Sequence, residues 1–121
     1  MPKSNELPQG SLPLSALDLQ ILLVLTRKDL YGCAIKKAVD EASEGVLSPE
    51  IGSLYRVLNR LMASGWVEEA GVATSTDGPQ RGRPRRYYRI THGGTVVVRA
   101  ELRRLRAVLG GAKGITPEAA R

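Results

Sequence analysis

The side chains with the most chemistry to offer in this 121-residue chain are its arginines, and they are not evenly spread. Arg81-Gly82-Arg83-Pro84-Arg85-Arg86 puts four guanidinium groups into six residues, with Arg89 just beyond. So dense a cluster repels itself unless an anion is present, and the planar fork of an arginine matches phosphate oxygens. A second group is spaced rather than clustered. Ser53, Arg56, Asn59 and Arg60 recur at three- and four-residue intervals, which puts them on one face of a helix. Arg can bond the acceptors of guanine and Asn the edge of adenine, while Ser can bond a phosphate or a base edge. Gly52, on the same face, would let a helix backbone come close to a duplex. Taken alone, the spaced row reads equally well as a solvated helix face; a basic loop with no partner is the lesser reading of the cluster, which sits where a wing would sit.

Composition narrows the choices. Lys and Arg total 18 against 12 Asp and Glu, a formal charge of +6, which favours a polyanionic partner: nucleic acid first, an acidic membrane surface second. A single cysteine, Cys33, excludes an internal disulfide framework and a Cys-rich zinc site, and a single histidine, His92, argues against a His-based metal centre or catalytic triad. No cofactor or metal is expected. Glu68 and Glu69 are adjacent in a strand and so point to opposite faces, which spoils them as a carboxylate pair. With no nucleophile beside a candidate base, no enzyme is expected. The longest apolar run, Ile21 to Leu25, falls far short of the roughly 20 residues that span a bilayer. Residues 1–12 lack the apolar stretch of a secretory signal, so no membrane partner and a cytoplasmic location are expected.

The elements that must hold these side chains follow from periodicity. Ser15 with Asp18 three residues on approximates a capping box, and the leucines that follow point almost all round a helix. A second helix is expected over about Tyr31 to Ser43. Ser48-Pro49 reads as a capped start to a third, in which Ile51, Leu54, Tyr55, Leu58, Leu61 and Met62 form the apolar stripe and Gly65 the stop. The period then changes. Residues 66–73 and 85–90 read as two strands joined by a long loop rich in Gly and Pro. Thr91 caps a last helix with Thr95, Val98, Leu102, Leu105 and Leu109 as its stripe.

Three helices followed by a hairpin is the order of a winged helix-turn-helix, mostly α with a small β-hairpin, plus a C-terminal helix for dimerisation. The expected division is a flexible arm at 1–13, the winged domain at 14–91, the dimerisation helix at 92–110 and a flexible tail at 111–121. The third helix would lie in the major groove of double-stranded DNA and the loop would reach the neighbouring backbone or minor groove. The expected contact residues are Ser48, Ser53, Tyr55, Arg56, Asn59 and Arg60 around the third helix, Lys36 on the second, and Arg81, Arg83 and Arg85 at the wing. Leu19, Leu22 and Leu23 of the first helix and Val98, Leu102, Leu105 and Leu109 of the last are expected to build a homodimer seam. Cys33 is read as a small, partly buried residue, His92 as a surface residue and Trp66 as core filling.

Four stretches resemble the PadR family of bacterial transcriptional regulators: Leu30-Tyr31-Gly32-Cys33-Ala34-Ile35, Ile51-Gly52-Ser53-Leu54-Tyr55 through Leu61, Ser64-Gly65-Trp66-Val67-Glu68, and Arg86-Tyr87-Tyr88-Arg89-Ile90-Thr91 with Gly94. The resemblance spans about residues 14–109 and suits the small subgroup with one C-terminal helix. It implies a dimeric winged-helix repressor whose last helix serves dimerisation and sometimes helps to line an effector site. It also implies that Tyr55 contacts a DNA phosphate. The chain departs from the family pattern in three places. Glu50-Ile51 precedes the Gly-Ser-Leu-Tyr motif, Arg56 stands where proline is frequent, and His92-Gly93 replaces the usual Glu-Ala. Two other functions stay open: a winged-helix module that binds an acidic protein, and a non-specific binder of RNA or single-stranded DNA. The second is disfavoured because the arginines lack interleaved aromatics for stacking.

Overall fold

In the computed structural model, which describes residues 10–74, 78, 81–112, 114 and 115, Ser15 opens helix α1 (Ala16–Leu25). Its hydroxyl accepts a hydrogen bond from the Asp18 N–H at 3.0 Å. Only half of a capping box forms, because the Asp18 carboxylate turns away to a different partner. Ile21, Leu22 and Leu25 enter the core, while Leu17, Leu19, Leu23 and Val24 stay half-buried. The all-round apolar helix therefore has one covered side and one that is partly open.

Leu30–Tyr31 form a strand, β1, that periodicity does not reveal, since two residues cannot show alternation. Tyr31 is the extended residue ahead of helix α2 (Gly32–Ala42), not part of its first turn. Ile35 and Val39 are the inward residues of α2. The chain then turns at Glu44 and Gly45, both at positive φ. Helix α3 (Ile51–Ala63) begins later than Ser48-Pro49 suggests, with Glu50 in the cap position and no side-chain cap bond. The Ser48 hydroxyl donates instead to Asp40 Oδ2 at 2.6 Å. That charge-assisted bond holds the Ser48 side chain toward α2, two residues short of the cap position.

Gly65 stops α3 as its spacing predicts. At φ +80° it takes the left-handed conformation, and the Gly65 and Trp66 N–H groups bond back to Met62 and Leu61 carbonyls, both at 3.0 Å. Strands β2 (Val67–Thr74) and β3 (Pro84–Ile90) make an antiparallel hairpin, and β1 adds to the far side of β3, giving the order β1-β3-β2. A bulge at Ala70 interrupts the β2 register between Glu69 and Gly71. Thr91 then caps helix α4 (His92–Gly110) by accepting from the Gly94 N–H at 3.0 Å. A Cβ at position 94 would collide with the Trp66 carbonyl oxygen, so Gly94 allows α4 to lie against the turn that follows α3.

The core joins Ile21, Leu22 and Leu25 to Ile35, Val39, Leu54, Leu58, Leu61, Val67, Tyr88, Val97 and Val98. Trp66 is half-buried against it. The inward face of α4 ends at Glu101, whose carboxylate is buried. It accepts from the Leu14 N–H at 2.9 Å and from Arg104 Nε at 2.6 Å. Arg104 chiefly, and Leu14 after it, hold the Glu101 carboxyl below the usual carboxylate range although burial pulls the other way. Leu12 also packs on the core, so the end of the expected arm is tied in, while residues 1–9 lie outside the described residues. Of the expected tail, 113 and 116–121 lie outside them too.

Candidate nucleic-acid interface

Helix α3 supplies the first half of the surface. Leu54, Leu58 and Leu61 are fully buried, which forces the opposite face outward. On that face Gly52, Arg56 and Asn59 are exposed, and nothing lies within 4 Å of where a Gly52 Cβ would sit. Arg56 Nη2 donates to Ser53 Oγ at 2.9 Å, so the two side chains are held together one turn apart. Tyr55 is 40% exposed at the edge of the stripe, and its ring and hydroxyl lie on Gly32 at the start of α2. Any larger residue at 32 would meet that hydroxyl. The ring thus packs while one side of it faces solvent.

Arg60 departs from the expected row. Its guanidinium makes a two-pronged bond to Asp18 of α1, Nη2 to Oδ1 at 2.6 Å and Nη1 to Oδ2 at 2.9 Å. The Asp18 side chain is only 8% exposed and the Arg60 side chain 55%. A carboxylate in the first turn of a helix that is otherwise almost wholly apolar had to find a partner, and that need was the available signal for this pair. Ser48 is likewise tied, to Asp40. Lys36 is half-buried in a shallow hollow beside Cys33, Lys37, Asp40 and Glu41. Cys33 is exposed, not partly buried as expected, because it lies on the outer side of the first turn of α2.

The wing arginines also sort themselves. Arg85 stacks over the Tyr31 ring, with its guanidinium carbon 4.3 Å from the ring centre, and Tyr31 meets Tyr87 edge to face at 5.5 Å. Alternation along β3 puts Arg85 and Tyr87 on this side and Tyr88 in the core. Burial pushes the Tyr88 hydroxyl above its usual pKa, with Tyr55 adding to the effect. Arg86 lies 3.5 Å from Glu69, and Arg89 lies 3.7 Å from Asp29 and 4.0 Å from Glu68. The self-repulsion inferred from the sequence is therefore partly relieved by cross-strand carboxylates and one aromatic ring. Arg81 and Arg83 are fully outside the sheet and exposed, with no ion pair to any described residue.

Two of the expected seam residues are spent inside the protomer. Leu22 is fully buried and Val98 is 4% exposed, so neither side chain is left to meet a second copy. Leu19, Leu23 and Leu105 are half-buried, and Leu102 and Leu109 are exposed. Beyond Glu101, α4 continues for nine residues in which Leu102, Val108 and Leu109 are exposed and Leu105 is covered only in part. An open groove of about 1150 Å³ runs between α1 and α2, with Leu23, Val24, Ala34 and Ala38 in its walls. Among the described residues, no helix is long and apolar enough to cross a membrane, and no group of three or more His, Cys, Asp or Glu could hold a metal ion.

Three helices, a sheet whose hairpin extends as a wing, and a trailing helix define a winged helix-turn-helix protein. The Transcriptional regulator PadR-like family matches residues 21–100, and the chain belongs to that family. It is a transcription regulator and not an enzyme. No curated protein matches it. Among solved structures it is similar to a PadR family transcription regulator from hypervirulent Clostridium difficile R20291, at 21% identity and TM-score 0.64, over 80% of this chain and 94% of that one. A transcriptional regulator from Clostridium thermocellum is similar at 23% identity and TM-score 0.63, over 79% and 91%. RosR-S4 of H. salinarum, seen in a complex structure, is similar at 25% identity and TM-score 0.58, over 88% and 80%.

Proposed function

We propose that this chain is a homodimeric, sequence-specific regulator of transcription, acting as a repressor on an imperfect palindrome of double-stranded DNA. The observation that carries the reading is the face of α3: three buried leucines fix it, and Ser53, Arg56 and Asn59 stand on its open side with an unobstructed Gly52 between the helix backbone and solvent. Arg56 and Asn59 read base edges, and Ser53 orients Arg56. Tyr55 contributes a phosphate contact from the edge of that face. Arg81 and Arg83 grip the backbone from the wing, because a loop rich in Gly and Pro cannot hold them rigidly enough to read bases.

The uncovered side of α4 and the half-buried leucines of α1 support the dimer. Two copies that cover these faces about a two-fold axis present two α3 helices to successive major grooves. An effector seated on that shared face would release the operator by changing the spacing of the two helices. The test is a binding assay on the DNA upstream of the chain's own gene, with excess random duplex as competitor. A retained complex supports the reading. Equal loss to random duplex, or binding only to an acidic protein, overturns it.

A further inference from the structure

The Asp18–Arg60 pair does more than join two helices. Arg60 stands four residues after Arg56, so it rises from the same flank of α3 as a residue placed against DNA. A DNA phosphate offers this guanidinium the charge and the two-oxygen geometry that Asp18 already offers. The difference lies in what is left behind. Were Arg60 to move to a phosphate, Asp18 would remain as an almost fully buried carboxylate without its cation. The described residues offer Asp18 no other cation.

We propose that Asp18 is a positioning residue that sets the strength and salt dependence of DNA binding: it occupies Arg60 with a built-in anion and so keeps one cation of the recognition helix off the phosphate backbone. The proposal rests on the reading of the chain as a DNA-binding regulator. Phosphate contacts form on any sequence, so withholding one lowers the affinity for operator and random duplex by the same factor and leaves base readout untouched. Asp18 itself never meets DNA and acts only through Arg60.

The test compares the salt dependence of four full-length proteins on operator and on random duplex: the unaltered chain, Arg60→Gln, Asp18→Ala and the double variant. Gln at 60 keeps a long stem and an amide donor for Asp18 while removing the charge. Arg60→Gln alone is expected to leave the slope of log affinity against log salt unchanged. Asp18→Ala is expected to steepen it by about 0.9 on operator and random duplex alike, and so to raise the affinity for both about eightfold more at 0.1 M salt than at 1 M. The double variant should return to the original slope, since the freed cation is then gone. A decrease of about 0.9 from Arg60→Gln alone would show that Arg60 already grips a phosphate, and an unchanged slope in a folded Asp18→Ala would show that it cannot reach one. Either result overturns the proposal. Trp66 fluorescence and thermal melting report whether each variant is folded. If Asp18→Ala is not, Asp18→Asn, of nearly the same volume, takes its place with the same expected direction. Absence of duplex binding by the unaltered chain would instead remove the DNA reading itself, a result distinct from both.

Discussion

At the scale of single residues, neighbours decide which arginines are available. Arg56, Arg60, Arg81, Arg83 and Arg85 look alike in the sequence, yet Asp18 takes Arg60, Tyr31 takes Arg85, and Ser53 steadies Arg56. The periodicity of α3 is legible because 3.6-residue spacing is local. The partners of Arg60 and Arg85 are not, because they lie 42 and 54 residues away in the chain. Replacing Arg56 with Ala is expected to cost about 1–3 kcal/mol on the operator and to relax preference at one or two base pairs. Competition binding against operators changed at single positions measures this. Uniform weakening on all sequences would place Arg56 on phosphate instead. Two glycines give a paired prediction. At Gly94 a methyl meets a backbone carbonyl that cannot move without shifting α4, whereas at Gly32 it meets the far end of the Tyr55 side chain, which can swing away. Gly94→Ala should therefore lower the urea midpoint sharply. Gly32→Ala should leave stability nearly intact and weaken DNA binding by displacing Tyr55. Equal effects on stability would contradict the contrast.

At the scale of elements, helix faces and the hairpin are plain in the sequence, whereas what is short or non-local is hidden. Strand β1 has two residues, and α3 starts later than its Ser-Pro signal, with the Ser48 hydroxyl bonded to Asp40 of α2 and Glu50 in the cap position. Glu101 looks like one more charge on a basic helix, yet it fastens the segment before α1 to α4 through Leu14. Its carboxyl is held below its ordinary 4.5 in the fold. The unfolded chain then binds this proton more readily than the native one. The pair contributes stability above about pH 4.5, and that contribution fades as pH falls through the lower native pKa. Urea midpoints measured from pH 6 down to pH 3 should fall, and Glu101→Gln should flatten the part of the fall due to this group. A variant with the unaltered pH profile would remove Glu101 from that role. The wing makes its own prediction. Arg81→Ala with Arg83→Ala should weaken binding to operator and random duplex alike. It should also flatten the salt slope by about 0.9 for each phosphate that the wing no longer neutralises. If the slope stayed put while discrimination vanished, the wing would be the reading element and α3 the anchor.

At the scale of the whole molecule, the distribution of apolar surface sets the assembly. A helix of 19 residues is about 28 Å long, and α4 is buried in its own protomer only as far as Glu101. The remaining turns carry Leu102, Val108 and Leu109 outward, and Leu105, like Leu19 and Leu23 of α1, is half-covered. The stripe on α4 is legible from its three- and four-residue spacing. What spacing alone misses is its division: Val98 serves the protomer and Leu102 onward does not, because only a packed neighbour distinguishes positions on the same helix face. The same division corrects Leu22, which the core of its own protomer covers. In the proposed dimer, a seam built from the exposed residues would set the separation of the two α3 helices, and the operator is expected to match it with half-sites about one helical turn, roughly 10 bp, apart or a multiple of that. Leu102→Asp with Leu105→Asp puts two charges per copy into the seam while leaving the core cluster untouched, so the protomer should stay folded. Sedimentation is expected to show a monomer. Its footprint should shrink to one half-site, because a single α3 retains its base contacts but lacks the second set that the two-fold axis supplies. A dimer that survives both charges would move the seam away from the distal half of α4, and the α1 face would then have to hold the two copies by itself.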